Sequence, residues 1–138
     1  MAQSTKLASA AYIMAYVARH EPEHVTTDAI ARVLRDHPTR VRQIVAALVK
    51  AGLMKSSRGA AGGIVLARPP SRISFRQIYD AIGEKSPLAL TMRSDDPGRN
   101  FVCNVHPVVS RLYDDIEADA LRRLGRITLD KVIDRRAR

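Results

Sequence analysis

The sequence is poor in aromatic residues and in cysteine. Its 138 residues include no Trp, two Phe, four Tyr and one cysteine, Cys103. A lone cysteine excludes a disulfide within the chain, and without a Cys-x-x-Cys pair the sequence lacks the usual structural zinc ligands. Because Ala, Val, Ile and Leu supply most of the apolar residues, the composition favours packed helices over a β-sandwich.

Long apolar runs are also missing. No stretch approaches the roughly 20 apolar residues of a membrane span, and the N-terminus lacks the apolar run of a secretory signal peptide. We therefore expect a cytoplasmic protein with no membrane partner. The sequence also lacks a nucleophile elbow, a phosphate-binding loop and a His-Glu-x-x-His helix, so we expect no enzyme, no cofactor and no metal site.

Positive charge is what the sequence has in excess. Lys and Arg number 23 against 14 Asp and Glu, a formal net charge of +9, and Arg far exceeds Lys. A small domain with this excess attracts polyanions, so nucleic acid is the first partner to consider. The alternative is a basic surface that is merely solvated, and charge alone does not decide between the two.

Apolar residues at three- and four-residue spacing predict three short helices in the first third of the chain. The predicted helices cover 5–20, 27–36 and 38–51. Thr26 is placed to cap the second helix, a proline suits the first position of the third, and Gly52 suits the end of the third. Three helices with a short turn between the second and third form a helix-turn-helix unit.

A hairpin follows the third helix. Short strands are predicted at 53–54 and 64–66. The glycines between them, Gly59, Gly62 and Gly63, would allow the positive φ that a tight hairpin needs. A helix-turn-helix followed by such a hairpin is the pattern of a winged helix.

The fourth helix has unusually complete start signals. Ser74 and Gln77 are spaced as a capping box, and Ile73 and Ile78 are spaced as a hydrophobic staple. This helix completes a predicted winged-helix DNA-binding domain at 1–84.

The rest of the chain divides into a loop and a long helix. Residues 85–102 lose periodicity and collect Pro, Ser, Asp and Gly, which indicates a loop long enough to act as a sensor region. The segment 103–138 contains a predicted helix over 104–124 and a short last helix capped by Thr128. Apolar residues recur along the long helix: Val105, Val108, Val109, Leu112, Ile116, Ala120 and Leu124.

The long helix predicts a homodimer. The winged helix cannot cover the whole apolar stripe, and a second copy of the chain would bury the excess. Such pairing sets two recognition helices one or more DNA turns apart, which predicts a pseudo-palindromic binding site. The alternative is a helix that packs only on its own domain. The expected fold is mainly α with a small β-hairpin, a winged helix-turn-helix plus a long C-terminal dimerisation helix.

The predicted recognition helix, 38–51, carries polar residues that suit DNA. At helical spacing Thr39, Arg42 and Gln43 point away from the apolar face and would enter the major groove. Arg42 could bond guanine O6 and N7, and Gln43 could bond adenine N6 and N7. Arg40 lies nearer the flank and suits a phosphate.

The predicted wing, 55–66, adds a basic hairpin to this helix. Lys55, Ser57, Arg58 and Gly59 surround its turn, and Arg58 could enter the narrow minor groove, where negative potential is enhanced. We therefore expect double-stranded DNA as the partner. Two alternatives are a basic protein that binds nucleic acid without sequence preference, and a winged-helix protein-interaction module with little need for a basic wing.

The stretch AGLMKSSRGAAGGIVLARPPSRISFRQIYDAI resembles the wing and following helix of the Rrf2 family of bacterial transcription regulators. The Cys…Pro-Val…Tyr segment and the ITLDKVI tail resemble the family's dimerisation helix and terminal turn, so the resemblance covers almost the whole chain. It implies a dimeric, sequence-specific transcription regulator, with repression as the expected activity. It also implies DNA-reading roles for Thr39, Arg42, Gln43 and Arg58.

The sequence departs from the family pattern in three places. Several members carry an acidic residue where this chain has Arg42, which implies a different operator. The Pro-containing pair and the Tyr of the usual wing are Ala60, Ala61 and Ile64 here, so we expect a wing that keeps its turn and loses some stiffness. Members that bind an iron–sulfur cluster place three cysteines before the long helix, whereas this chain has only Cys103.

The sensing chemistry of Cys103 stays open at the level of sequence. One thiolate cannot build the family's cluster site, and His106, Asp95 and Asp96 are the residues that could add other ligands. A thiol near a helix N-terminus could be reactive, which suits a redox or electrophile switch. The alternative is a buried, inert residue packed under the helix. The effector is unknown.

Overall fold

The helices and strands follow the order predicted from the sequence. The computed structural model describes residues 5–83 and 99–134, with the side chains of 5–83 and 105–133. These residues are mainly helical with one two-stranded hairpin, as expected. The elements are α1 (Lys6–His20), α2 (Thr27–Leu34), α3 (Pro38–Lys50), β1 (Met54–Ser57), β2 (Gly63–Leu66), a 3-10 turn (Pro70–Arg72), α4 (Phe75–Ile82), α5 (Arg99–Gly125) and α6 (Leu129–Asp134).

The α2 helix begins as predicted and ends early. The Thr26 hydroxyl oxygen accepts a hydrogen bond from the Ala29 N–H at 3.2 Å, which confirms the predicted cap. The helix ends at Leu34 instead of residue 36, because Arg35 adopts a left-handed backbone with φ 52°. This conformation usually belongs to Gly or Asn, so no residue type here signalled the end of the helix.

The hairpin is antiparallel and longer than predicted. Its register aligns Met54 with Leu66, Lys55 with Val65, Ser56 with Ile64 and Ser57 with Gly63. The first strand extends beyond the predicted 53–54, since cross-strand backbone bonds continue through polar residues that carry no apolar pattern. Val25 pairs with Ile64 beside the hairpin, through N–H to carbonyl bonds of 3.1 and 2.8 Å.

Glycines shape the hairpin turn for two different reasons. Gly59 and Gly63 have φ values of 103° and 148°, as predicted. The prediction of positive φ at Gly62 is wrong, because Gly62 is not among the positive-φ residues. A Cβ at Gly62 would lie 2.4 Å from the Ser57 carbonyl oxygen, so this position excludes a side chain by close packing of the turn.

Buried apolar side chains from α1 to α4, the hairpin and α6 form one core. The largest fully buried side chains are Ile13, Met14, Val17, Ile30, Val41, Leu48, Met54, Ile73, Ile78 and Leu129. Among the described residues no polar or charged side chain is buried. Apolar packing therefore dominates the stability of the fold, at about 1.5–3 kcal/mol for each large side chain that is fully buried.

The start of α4 confirms its predicted signals. The Ser74 hydroxyl oxygen accepts from the Gln77 N–H at 3.1 Å, and the Gln77 side-chain oxygen accepts from the Ser74 N–H at 3.0 Å. Ile73 and Ile78 are both fully buried, as a hydrophobic staple requires. Local sequence signals therefore fix where α4 begins.

The α5 helix is the longest described element. It begins at Arg99, earlier than the predicted 104, and Pro107 lies inside it. The predicted start was placed at the beginning of the apolar stripe. The helical turn before the stripe belongs to the aperiodic segment 85–102, so the sequence pattern did not reveal it. The rest of the predicted sensor loop, 85–98, lies outside the described residues. No helix in the described part of the chain is long and apolar enough to cross a membrane.

The α6 helix folds back onto the winged helix. Leu129 is fully buried in the same core as α1 and α4. Its N–H donates to the Ile73 carbonyl at 2.8 Å, and the Ile127 carbonyl accepts from the Phe75 N–H at 2.8 Å. The C-terminal end of α5 is therefore attached to the residues that begin α4.

Thr128 precedes α6, as predicted, and its hydroxyl donates to the Asp130 carboxylate. This hydrogen bond holds the pKa of the Asp130 carboxyl below its usual value. The associated stabilisation exists above the ordinary pKa of an aspartate. It is lost as the pH falls through the lowered value, because protonation removes the charged acceptor.

Candidate nucleic-acid interface

The α3 helix presents a polar face to solvent. Thr39, Arg42 and Gln43 are exposed, as their spacing predicted. The opposite face lies in the core and comprises Val41, Ile44, Val45 and Leu48. The exposed set projects from the N-terminal half of the helix, which is the part of a recognition helix that meets base edges.

Flanking residues fix both ends of α3. Pro38 occupies its first turn, and the His37 ring nitrogen Nδ1 accepts from the Thr39 N–H at 3.2 Å. Gly52 follows the helix with φ 76°, which confirms its predicted place. Fixed ends hold the exposed side chains of α3 at a constant angle to the rest of the domain.

Arg40 is held against α1. Its Nη2 donates to Thr5 Oγ1 at 2.5 Å and to Ser9 Oγ at 3.3 Å, and its Nε lies 3.7 Å from Asp36 Oδ2. These contacts connect the start of α3 to the start of α1. A phosphate bound by Arg40 would have to share the guanidinium with them.

Arg42 is paired across the helix-turn-helix. Its Nη2 donates to Asp28 Oδ1 at 2.9 Å, and the two side chains are 58% and 66% exposed. Asp28 lies in the first turn of α2. The arginine predicted to read a base is thus oriented by the helix next to it.

The predicted DNA-binding residues of the hairpin are exposed to solvent. Lys55, Ser57, Arg58 and Gly59 are all exposed, with Arg58 at the turn that follows β1. Within the described residues Arg58 forms no ion pair. Its charge is therefore not neutralised by the fold around it.

The loop between α1 and α2 supports the hairpin. The His24 Nδ1–H donates to the Ala61 carbonyl at 2.9 Å, and Ser57 Oγ lies 3.5 Å from the same nitrogen. At the other end of the hairpin, the Leu66 N–H donates to a Glu21 carboxylate oxygen at 3.1 Å. These bonds connect both ends of the hairpin to the loop between α1 and α2.

A cleft of about 600 Å³ separates α3 from the hairpin. Its walls include Thr26, Thr27, Arg42, Val45, Ala46, Val49, Lys50, Ser56, Ser57, Gly59 and Ile64. The α3 side contributes the basic residues Arg42 and Lys50, the hairpin side contributes Ser56 and Ser57, and the buried Val45 and Ile64 add apolar surface. The cleft places the helix and the wing on one continuous surface.

The structure brings together only part of the predicted DNA-binding set. Arg42, Ser57 and Gly59 line the cleft. The other predicted residues are exposed or half-buried beyond it, and these are Thr39, Arg40, Gln43, Lys55 and Arg58. The side chain of Cys103, the predicted sensor, lies outside the described ones.

Sequence reasoning missed the residues that orient the site. Asp28, His24 and Glu21 each bond a group 14 to 45 residues away in the chain. An aspartate in a first helical turn is explained by the helix dipole alone, so its partner on α3 was not visible. Such pairs become apparent only in the folded chain.

Four large apolar side chains of α5 lie on the surface. Val105, Val108, Leu112 and Ile116 are 38–68% exposed and recur at three- and four-residue steps. Two other members of the predicted stripe, Val109 and Leu124, are half-buried. The exposed part of the stripe is the kind of contiguous apolar patch that marks an interface.

Comparison with known proteins identifies the family. The family model for Rrf2, the iron-dependent transcriptional regulators, matches residues 3–135. The chain belongs to the Rrf2 family. It is therefore a transcriptional regulator with the winged-helix fold.

Individual relatives support the assignment. YffB of Lactococcus lactis, which is classed with HTH-type transcriptional regulators, is 27% identical over 129 residues, covering 89% of this chain and 81% of YffB. YwgB of Bacillus subtilis is 34% identical over 58 residues, which cover 42% of this chain and 37% of YwgB.

Solved Rrf2 structures share the whole fold. IscR of T. potens superposes with a TM-score of 0.71 at 27% identity, over 97% of this chain and 87% of IscR. CymR, the global cysteine regulator of B. subtilis, superposes with a TM-score of 0.69 at 27% identity, over 97% of each chain. The long C-terminal helix is thus part of the shared architecture.

The donor residues of this chain do not fit a cluster held by several thiolates. The sequence has one cysteine, so one chain supplies at most one thiolate. In the part of the chain that the structure describes, no three His, Cys, Asp or Glu side chains are grouped as metal ligands. Asp95 and Asp96 lie outside the described residues.

Proposed function

We propose that the protein is a dimeric repressor that binds a pseudo-palindromic operator in a sequence-specific manner. The observation that carries this proposal is the continuous surface formed by the polar face of α3 and the basic hairpin. In the proposed complex, α3 enters the major groove and the hairpin follows the adjoining minor groove. The anchored hairpin and the fixed ends of α3 support a preformed reading surface.

Each exposed residue of the surface has a proposed role. Arg42 bonds a guanine edge and Gln43 an adenine edge, while Thr39 contacts a phosphate or a thymine methyl. Arg58 enters the minor groove. Phosphate contacts, which position without specifying sequence, are assigned to Arg40, Lys55, Ser57 and the Gly59 backbone.

The proposed dimer forms through the exposed stripe of α5. A second copy of the chain supplies a matching apolar stripe by two-fold symmetry. In this arrangement residues 1–84 read DNA, 85–102 form the sensor region and 103–138 pair the chains. Selection of bound duplexes from a random library tests the whole proposal, because a dimer should select inverted half-sites one or more helical turns apart.

Replacing Arg58 by Ala is expected to weaken operator binding by about 1–3 kcal/mol, the range of a specific base contact. The physical reason is loss of a free guanidinium from the enhanced negative potential of the minor groove. The measurement is a titration of the selected operator and of a scrambled duplex at the same salt concentration.

Arg68→Ala is the matched control, since Arg68 is exposed beyond β2 and its loss removes the same charge. Equal weakening by the two variants would reduce Arg58 to a general electrostatic contribution. Equal affinity of the unchanged protein for operator and scrambled duplex would refute sequence-specific binding and favour a non-specific nucleic-acid protein.

Cys103 is proposed as a thiol sensor rather than a cluster ligand. Oxidant is expected to change operator affinity in the unchanged protein and to have no effect on Cys103→Ser. Titration of both proteins with operator, before and after mild oxidation, measures this. A Cys103→Ser protein that responds to oxidant as strongly as the unchanged one excludes the thiol.

A further inference from the structure

We propose that Asp28 is a positioning residue for base reading, because its carboxylate holds the guanidinium of Arg42 in the orientation that meets a guanine edge. The proposal rests on the proposed function above, since it requires that Arg42 read a base. The observation behind it is the 2.9 Å contact between Arg42 Nη2 and Asp28 Oδ1, which joins the two helices of the helix-turn-helix.

The surface location of this pair argues against a mainly structural role. Both side chains are more than half exposed, and exposed ion pairs contribute little to stability because water screens them. Arg42 also lines the cleft between α3 and the hairpin. The pair therefore lies on the proposed DNA-binding surface and contributes little to the free energy of folding.

The contact leaves Arg42 able to bind a base. A guanidinium carries five N–H donors, and the contact with Asp28 uses Nη2 as its single donor atom. Two donors on one edge suffice for a bidentate bond to guanine O6 and N7. Holding a long side chain in place beforehand reduces the rotamer freedom that it loses on binding.

The same carboxylate discriminates against other positions of Arg42. If the guanidinium turned away to a phosphate, Asp28 would be left unpaired close to the negative charge of the DNA. This repulsion disfavours complexes in which Arg42 does not face its base. Removing the carboxylate charge should therefore relax specificity and leave overall affinity little reduced.

The test compares Asp28→Asn with Asp80→Asn, each in the full chain. Asp80 accepts from Arg76 Nε at 3.0 Å in an exposed pair on α4, so its variant removes the same charge from a comparable pair. Each protein, with Arg42→Ala and the Asp28→Asn/Arg42→Ala double variant, selects duplexes from a random library at fixed salt. Retained thermal unfolding temperature confirms that each variant is folded.

Arg42→Ala is expected to abolish the preference for guanine at one position of each half-site. Asp28→Asn should lower the preference at that same position by roughly three- to tenfold, a part of what a bidentate contact discriminates. Asp80→Asn should leave every position unchanged. In the Arg42→Ala background, adding Asp28→Asn should change no position further, as expected for a residue that acts through Arg42.

The outcomes separate this proposal from the one on which it rests. If Arg42→Ala removes the guanine preference and Asp28→Asn does not alter it, the positioning role is overturned while the DNA-reading function stands. If Arg42→Ala leaves the selected sequence unchanged, base reading by Arg42 fails, and the role of Asp28 fails with it. A change at other positions in the double variant would assign Asp28 a separate contact and overturn the proposal.

Discussion

Replacing Leu112 by Glu is expected to convert the proposed dimer into a monomer and to lower operator affinity by at least about 10³-fold. Leu112 is 56% exposed in the middle of the apolar stripe of α5. In a symmetric interface each protomer contributes one new carboxylate, which faces the apolar stripe of the other protomer. Two charges then lose their hydration without gaining an ion-pair partner. A single half-site then binds near the non-specific level, which is about 10³–10⁷ weaker than specific binding.

Sedimentation velocity at micromolar concentration and titration of the selected operator measure the two effects. Arg111→Gln is the matched control, because it lowers the net charge by the same amount at an exposed position about 100° around the helix. The control should remain a dimer with unchanged affinity. A Leu112→Glu protein that still sediments as a dimer, or an unchanged protein that is monomeric, contradicts pairing through α5.

Replacing Leu129 by Ala is expected to lower the free energy of unfolding by about 2–5 kcal/mol, the usual loss for a buried leucine. Leu129 comes from α6, yet its side chain is fully buried in the core of the winged helix. The substitution leaves a cavity in the core beside α1 and the 3-10 turn, the elements that contact α6, and this cavity cannot close completely. Urea unfolding at equal protein concentration, followed by circular dichroism, measures the change.

Val132→Ala is the control for this substitution, since Val132 lies in the same helix and is 40% exposed. It should lower the free energy of unfolding by well under half as much. Comparable losses in the two variants would mean that α6 contributes only helix propensity. Two separate unfolding transitions in the unchanged protein would show that α6 unfolds independently of the winged helix.

Local signals explain why much of the fold could be predicted from the sequence. The caps at Thr26 and Ser74 act on amides three residues away, so their geometry is set within a single turn. The exposed polar face of α3 follows from helical spacing alone. Each of these features depends on neighbours in the chain, which a sequence displays directly.

The incorrect boundaries have causes that a linear pattern does not show. Arg35 ends α2 in a conformation that residue type disfavours. The β1 strand continues through polar residues because its partner strand supplies the bonds. Gly62 is required by a carbonyl oxygen close to it in space and not by its φ. All three depend on the folded surroundings more than on residue type.

Some residues of the candidate site could be predicted from local sequence pattern, and others could not. The exposed polar residues of α3 and the hairpin could be found from motif and spacing. The groups that orient them, Asp28 for Arg42 and His24 for the hairpin, depend on tertiary contacts. Sequence therefore indicates which side chains face solvent at the candidate site, while the structure shows which neighbouring groups bond to them.

Because α6 packs in the core of the winged helix, it limits where the chain can be truncated without loss of stability. A fragment ending at Gly83 would keep every proposed DNA-reading residue. It would lack Leu129, and it would uncover core side chains of α1 and the segment around Ile73, whose carbonyl accepts from the Leu129 N–H. The proposed reading surface and the proposed pairing helix differ in role, but α6, which follows the pairing helix, shares one core with the winged helix. Exchanging the α5 arm between relatives should therefore succeed only when α6 and its contacts on α1 and on the 3-10 turn are exchanged as a set.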